Sequence, residues 1–206
     1  TGETVNMSYY ASESATSPSI CDTFGHANAI TVYGYNNVNY MYVSNLKTPL
    51  SITRAKISGT NIYFTGFFKL VDASNNKAIS PAGFKCVKQA DGYFYFIVKS
   101  GMQLYYTRIS ATAPGGTSSA PTEVKCVKLL TLHTRNAIFN INGVNKTIDY
   151  LDTWTNQDFS YNSYEDAIYV PLFDSSTGYR NVILVYTGMT QYMNAIDLST
   201  NSGGSN

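Results

Sequence analysis

Short runs of apolar residues, some alternating with polar ones and some continuous, recur along the chain between turn-forming dipeptides. Strand-like runs fall at 29–35 (AITVYGY), 39–46 (NYMYVSNL), 51–57 (SITRAKI), 61–71 (NIYFTGFFKLV), 84–88 (FKCVK) and 92–99 (GYFYFIVK). They continue at 102–110 (MQLYYTRIS), 123–132 (EVKCVKLLTL), 137–143 (AIFNING), 146–151 (KTIDYL), 166–173 (DAIYVPLF) and 179–188 (YRNVILVYTG). Period-two alternation suits a pleated strand, and Val, Ile, Thr, Tyr and Phe suit its surface. The turns Ser58-Gly59, Asn75-Asn76, Asp91-Gly92, Ser100-Gly101, Asn142-Gly143 and Thr177-Gly178 separate the runs. Of these, Asn142-Gly143 and Ser100-Gly101 predict tight hairpins. A helical period occurs at 189–198 (MTQYMNAIDL), where Met189, Met193 and Ile196 share a face.

About twelve short strands predict an all-β fold, an antiparallel sandwich or barrel. One internal echo leaves a second architecture open. Lys85-Cys86-Val87-Lys88 returns as Lys125-Cys126-Val127-Lys128 forty residues later. A period near forty fits a five-bladed propeller; chance or hairpin duplication also explains it. The organisation reads as a polar N-terminal arm (1–20), a single β domain (21–198) and a Ser/Gly/Asn tail (199–206) expected to be flexible. Residues 111–122 (ATAPGGTSSAPT) read as a loop.

Composition narrows the class. Charged residues make up 13% of the 206, about half the globular norm of roughly 25%. Ser, Thr and Asn number 21, 22 and 19, and Tyr adds 18 against one Trp. With four Glu and eleven Leu, helix formers are scarce, which excludes a helical bundle or coiled coil. An apolar content of 44% excludes disorder through most of the chain. The formal net charge is +1, and no Lys/Arg stripe is present to neutralise phosphates, so nucleic acid is not expected as a partner. The longest apolar stretch, Tyr93 to Val98, is far shorter than the roughly 20 residues of a membrane-spanning helix, so no membrane insertion is expected. The chain opens at Thr1 without a basic-plus-apolar leader and reads as an excised domain or processed product.

Candidate chemistry is sparse. His26 and His133 have no ligand neighbour at metal-binding spacing, and Cys21 lies five residues before His26, so no metal and no cofactor are expected. Cys21, Cys86 and Cys126 are an odd number; one bridge plus a thiol or three free thiols remain open. Alternation turns Cys86 and Cys126 inward and their flanking lysines outward, which suits core packing rather than a reactive thiolate. No G-x-S-x-G elbow is present. No catalytic residue is therefore assigned.

Two Tyr-rich regions stand out. Tyr33, Tyr35, Asn36, Asn37, Asn39, Tyr40 and Tyr42 surround an expected hairpin. Rigid aromatic area with a hydroxyl suits ligand contact; cross-strand aromatic pairing is the competing account. The stretch 149–166 interleaves Asp149, Asp152, Asp158, Glu165 and Asp166 with Tyr150, Trp154, Phe159, Tyr161 and Tyr164. Rings stack on the apolar face of a sugar while carboxylates take its hydroxyls. Aromatics that plug a sheet edge form the alternative, and a glycosidic acid pair a third. The ligand-contact candidates are Tyr33, Tyr35, Asn36, Asn37, Tyr40, Trp154, Asp158, Tyr161 and Tyr164. Asn6-Met7-Ser8 and Asn145-Lys146-Thr147 match the glycosylation pattern, as chance allows in so Asn-rich a chain.

This low-charge, all-β chain, rich in Tyr, Thr, Asn and Ser and with an odd cysteine count, resembles the receptor-binding surface domain of a non-enveloped virus. It looks like an astrovirus-type capsid spike or a phage tail-fibre tip. The resemblance implies a domain on the virion surface that binds a host-cell receptor protein or glycan without catalysis. It implies a homodimer for a spike or a homotrimer for a fibre. Free thiols agree with assembly in a reducing cytosol. A carbohydrate-active enzyme or carbohydrate-binding module, secreted or extracellular, is the alternative; a particle protein without a ligand is a further one.

Overall fold

The computed structural model describes residues 24, 27–45, 50–59, 61–132, 138–147, 153–174 and 180–199. The arm, Cys21, both histidines, the Asn6 sequon, Asp149, Tyr150, Asp152, the Thr177-Gly178 turn and residues 200–206 of the tail lie outside them.

Eight strands form one sheet: β1 (Ile30–Tyr35), β2 (Val38–Asn45), β3 (Ser51–Ser58), β4 (Asn61–Asp72), β5 (Gly83–Ala90), β6 (Tyr93–Ser100), β7 (Gln103–Ser110) and β8 (Thr122–Thr131). Their order is β1-β2-β3-β4-β8-β7-β6-β5. Two four-strand meanders are thus joined through β4 and β8, which run parallel from Phe68↔Thr122 to Asp72↔Cys126. Every other pairing is antiparallel. The outer strands β1 and β5 come round to face each other, so the sheet is a nearly closed barrel. The seam is held by side chains: Asn28 Nδ2 donates to the Ala82 carbonyl at 2.6 Å, and the Cys86 amide donates to Thr31 Oγ1 at 3.3 Å. Closure of this kind removes exposed edges. One continuous sheet replaces the separate blades that a propeller would need.

The turns follow backbone chemistry. Asn36 and Asn37 have φ of +48° and +61°, and Asp91-Gly92 and Asn142-Gly143 likewise lie in the left-handed region. Two consecutive positive φ values match the twist of a two-residue hairpin, and Asn and Gly tolerate them best.

The barrel interior is aromatic. Tyr42, Phe68, Phe84, Phe94 and Phe96 are buried there with Ile52, Leu70, Val98, Ile109, Val124 and Cys126. Phe84 stacks on Phe96 at 4.4 Å, and the Tyr42 ring meets Phe96 edge-on at 4.9 Å. Arg54 is 3% exposed at this core. Its Nε donates to Thr65 Oγ1 at 2.8 Å, and its two terminal nitrogens donate to the Ser110, Ala111 and Ala113 carbonyls at 2.7–3.5 Å. It also lies 5.0 Å from the Phe68 ring centre and 5.7 Å from that of Tyr40. A planar fork of donors serves carbonyls pointing from several directions, which an ammonium cannot do as well.

Beyond the barrel lie the hairpin β9 (Ile138–Ile141) and β10 (Val144–Thr147), and then a second sheet. The latter comprises β11 (Thr155–Asn156), β12 (Ser160–Asn162), β13 (Ala167–Asp174) and β14 (Arg180–Thr187), followed by helix α1 (Met189–Asn194). It packs on the outside of β5–β8. Ile97, Leu104 and Tyr106 on the barrel meet Trp154, Phe159, Ile168, Val170, Leu172, Leu184, Met189 and Met193. The β6 run is therefore buried on both faces, which explains its unbroken apolar sequence. The expected helix forms over its first half. Among the described residues there are fourteen strands against the expected dozen; the added β11 and β12 are too short to show a period.

The 111–120 loop folds back on β4. The Phe67 amide donates to the Gly116 carbonyl at 2.9 Å, and the Gly116 amide donates back at 3.1 Å. The approach needs glycine on both sides: a Cβ on Gly66 (φ +141°) would lie 2.3 Å from the Gly115 Cα. Gly66→Ala is expected to lower unfolding free energy by roughly 1–3 kcal/mol in urea denaturation, with Gly34→Ala, which has neither a positive φ nor a backbone clash, as the comparison. Equal effects from the two would contradict this account.

Candidate functional site

The second sheet buries one face and presents the other. On β13, Ile168, Val170, Leu172 and Asp174 point inward and are buried, while Tyr169, Pro171 and Phe173 alternate with them. On β14, Leu184 is buried, whereas Ile183 and Val185 are 59% and 52% exposed. The register places Tyr169 beside Val185 and Pro171 beside Ile183.

Pro171 sits mid-strand, where a proline is unusual because it lacks a ladder donor. The sheet accommodates it by a gap. On that side β12 pairs only with Ala167–Tyr169, and β11 only with Leu172–Phe173. Between β11 and β12 the chain at 157–159 bends down onto the barrel. A Cβ on Gly83 would lie 2.7 Å from the Phe159 ring, so this descent requires glycine at 83. The bend leaves a groove of about 330 Å³ lined by Asp158, Phe159, Ser160, Tyr169, Pro171 and Ile183. That volume is at the small end of ligand sites, enough for a single ring.

The groove is anchored by polar contacts beneath and beside it. Lys85 Nζ bonds Asp158 Oδ2 at 2.5 Å, joining barrel to groove. Asp158 Oδ1 is enclosed with no hydrogen-bond partner. The fully buried Lys99 donates to Asn156 Oδ1 and, at 3.0 Å, to the Gln157 carbonyl. Burial pulls its ammonium down to about 8, with the nearby Asp158 charge opposing. The Tyr169 hydroxyl donates to Glu165 Oε2, and this bond holds its phenol above the usual range. The same bond fixes the ring's orientation at the groove. Asp166 caps the start of α1, accepting from the Thr190 amide at 2.9 Å and from its hydroxyl at 2.7 Å.

The residues expected to contact a ligand do not converge. Tyr33, Tyr35 and Tyr40 are half-buried, with ring centres 5.7, 6.1 and 5.9 Å from that of Phe94. Their rings pack against the barrel core and meet Phe94 of β6 across the interior rather than one another along the sheet. Asn36 and Asn37 are exposed and form the hairpin turn itself. Trp154 is 5% exposed and lies in the core between the sheets, the position of a plug. Tyr161 packs half-buried against the same core, and its hydroxyl donates to Asp166 at 3.4 Å. Tyr164 is 96% exposed at the β12–β13 turn. Of the nine candidates, Asp158 alone lines the groove. Ser160, Tyr169, Pro171 and Ile183 were missed; the signal was Pro171 inside an apolar strand run, which marks a break in pairing.

Cys86 and Cys126 are free thiols. Burial pushes both up to about 12, so neither is an activated nucleophile at neutral pH. Among the described residues no helix is long and apolar enough to cross a membrane. No protein-family model, curated protein or solved structure matches the chain.

Two outcomes follow from this geometry. Trp154→Ala is expected to cost roughly 3–5 kcal/mol of stability in chemical denaturation, as for a buried aromatic, and Tyr164→Ala to change it by less than about 0.5 kcal/mol. Lys99 has a folded-state pKa below its unfolded value of roughly 10.4, so the unfolded chain binds more protons between the two. Its contribution to stability therefore rises with pH from about 8 to about 10.4. Measured as wild type minus Lys99→Met, which cancels the opposite contributions of the raised thiols and phenols, the difference should grow by about 2 kcal/mol across that window. A flat or falling difference would contradict it.

Proposed function

We propose that the chain is an attachment module that binds a glycan through the groove beside Pro171, as in the receptor-binding surface domain of a non-enveloped virus. The observation that carries this reading is the groove itself. Tyr169, oriented by Glu165, stands at a single-ring-sized depression lined also by Phe159, Ser160, Pro171 and Ile183, with the Asp158 carboxylate already engaged by Lys85. An aromatic ring takes the apolar face of a pyranose, and short polar groups take its hydroxyls. Both supporting elements are strands packed on the barrel, so little ordering is needed on binding. The low charge of the chain fits a surface that recognises neutral or weakly charged hydroxylated ligands.

The contact area is small, so single-site affinity is modest and display in several copies on a virion surface supplies avidity. The partner is a host-cell glycan, free or carried on a receptor protein, and the module grips it without transforming it.

Binding of fluorescent multivalent display of the chain to a glycan array tests this directly. A defined subset of glycans should bind, and Tyr169→Ala should weaken that binding about tenfold, roughly 1.4 kcal/mol, without lowering thermal stability. Tyr35→Ala, at the barrel, should leave relative glycan preference unchanged. Absence of binding to any glycan, or binding insensitive to Tyr169, would refute the assignment.

A further inference from the structure

We infer that the groove beside Pro171 reads a methyl group on its sugar, so that the ligand is a pyranose bearing a methyl-terminated substituent, an N-acetyl arm or a deoxy carbon. This rests on the glycan reading and narrows it to a ligand class. The carrying observation is a mismatch between the groove's size and its polarity. About 330 Å³ admits one ring with a small substituent, yet Phe159, Pro171 and Ile183 bring only carbon side chains to the lining. Asp158, Ser160 and Tyr169 supply its polar groups, and two of these three are already committed. Lys85 holds Asp158 Oδ2 at 2.5 Å, and Oδ1 is enclosed. The Tyr169 hydroxyl donates to Glu165. A sugar with a hydroxyl at every exocyclic position brings more donors and acceptors than this lining receives. A hydroxyl set against carbon gives up its water without replacement, which costs more than an average hydrogen bond returns. A methyl group at the same place forfeits no hydrogen bond and gains by leaving water.

The strand register says where that methyl lies. Tyr169 and Pro171 are two residues apart on the outward face of β13, roughly 6.6–6.8 Å along the strand. Ile183 is directly opposite Pro171 on β14. Proline has no N–H, so this cannot be a hydrogen-bonded pair. In the other kind of antiparallel pair the Cα atoms approach to about 4.5 Å and the side chains are closer. Pro171 and Ile183 therefore make one apolar patch about a ring's length from Tyr169. A pyranose stacked on Tyr169 lays an exocyclic group on that patch. Ile183 is 59% exposed, so its carbon is open to a ligand. Phe159, 3% exposed and packed on Gly83, is a fixed part of the wall.

Competition by free monosaccharides against the multivalent display tests this, because each competitor binds one site at a time. The paired competitors are N-acetyl against N-formyl forms of glucosamine and galactosamine, and 6-deoxygalactose against galactose in both the D and L series. In at least one pair the methyl-bearing sugar should inhibit at about fourfold lower concentration, the worth of one buried methyl group. Preference in an amide pair places the methyl on an acetamido arm, and preference in a deoxy pair places it on C6; either supports the inference. Ile183→Ser should level the discriminating pair. Val185→Ser, exposed at 52% on the same strand but outside the groove lining, should leave the preference as it is. Both side chains are exposed, so loss of the fold does not mimic the result. Equal or absent inhibition within every pair, or a preference that survives Ile183→Ser, overturns this inference, while glycan binding on the array would still uphold the broader reading. A chain that binds no glycan overturns both.

Discussion

The structure depends on one wall that is buried on both sides. Strands β5–β8 close the barrel with one face and carry the second sheet on the other. In β6, Phe94, Phe96 and Val98 enter the barrel core, while Tyr95 and Ile97 turn to the outer layer. Neither layer could shed its apolar surface without the other. A strand exposed on one face would leave Ile97, Leu104 and Tyr106 in water, and each such side chain is worth about 1.5–3 kcal/mol when buried. The second sheet in turn exists as a layer only because this wall receives Ile168, Val170, Leu172 and Leu184.

Burying both faces makes polar groups expensive, and the chain handles its few buried cations in one way. Arg54 at the barrel core and Lys99 between the layers both donate to neutral oxygens, carbonyl, amide or hydroxyl, rather than to a carboxylate. An isolated buried charge is costly unless its donors are filled. Arg54 ties the 111–116 loop to β3 and β4. Lys99 ties the β11–β12 connection to β6. That connection forms the floor and rim of the groove. The site's shape is thus a consequence of core satisfaction: Gly83 and Lys99 pull residues 156–159 down, and Pro171 cannot follow them with a hydrogen bond.

Much of this architecture was legible in the chain. Of the fourteen strands among the described residues, eleven coincide with apolar runs and β10 overlaps the expected 146–151 run only at Lys146 and Thr147, since alternation is a local consequence of half-burial. The left-handed turn positions were legible for the same local reason. Exposure was less legible than strand position. Tyr33, Tyr35, Tyr40 and Trp154 have the composition of a binding surface, yet they pack in cores. Tyrosine serves both roles, because its ring buries well and its hydroxyl tolerates a polar edge. Composition cannot tell which. The groove residues Ser160, Tyr169, Pro171 and Ile183 lie on three strands and carry no shared motif.

The sequence by itself determined that the chain forms strands, where it turns, and that helix is marginal, because period, propensity and positive-φ residues act over a few neighbours. The unbroken run from Tyr93 to Val98 showed only that it is too short to span a membrane; that its strand is covered on both faces came from the packing of the two layers. Tertiary structure decided that β4 meets β8 in parallel, that β1 returns to β5, and that the second sheet lands on β5–β8. Those pairings join segments up to tens of residues apart, where only the joint packing of both layers selects one partner over another. Which tyrosines face outward was settled by that same packing.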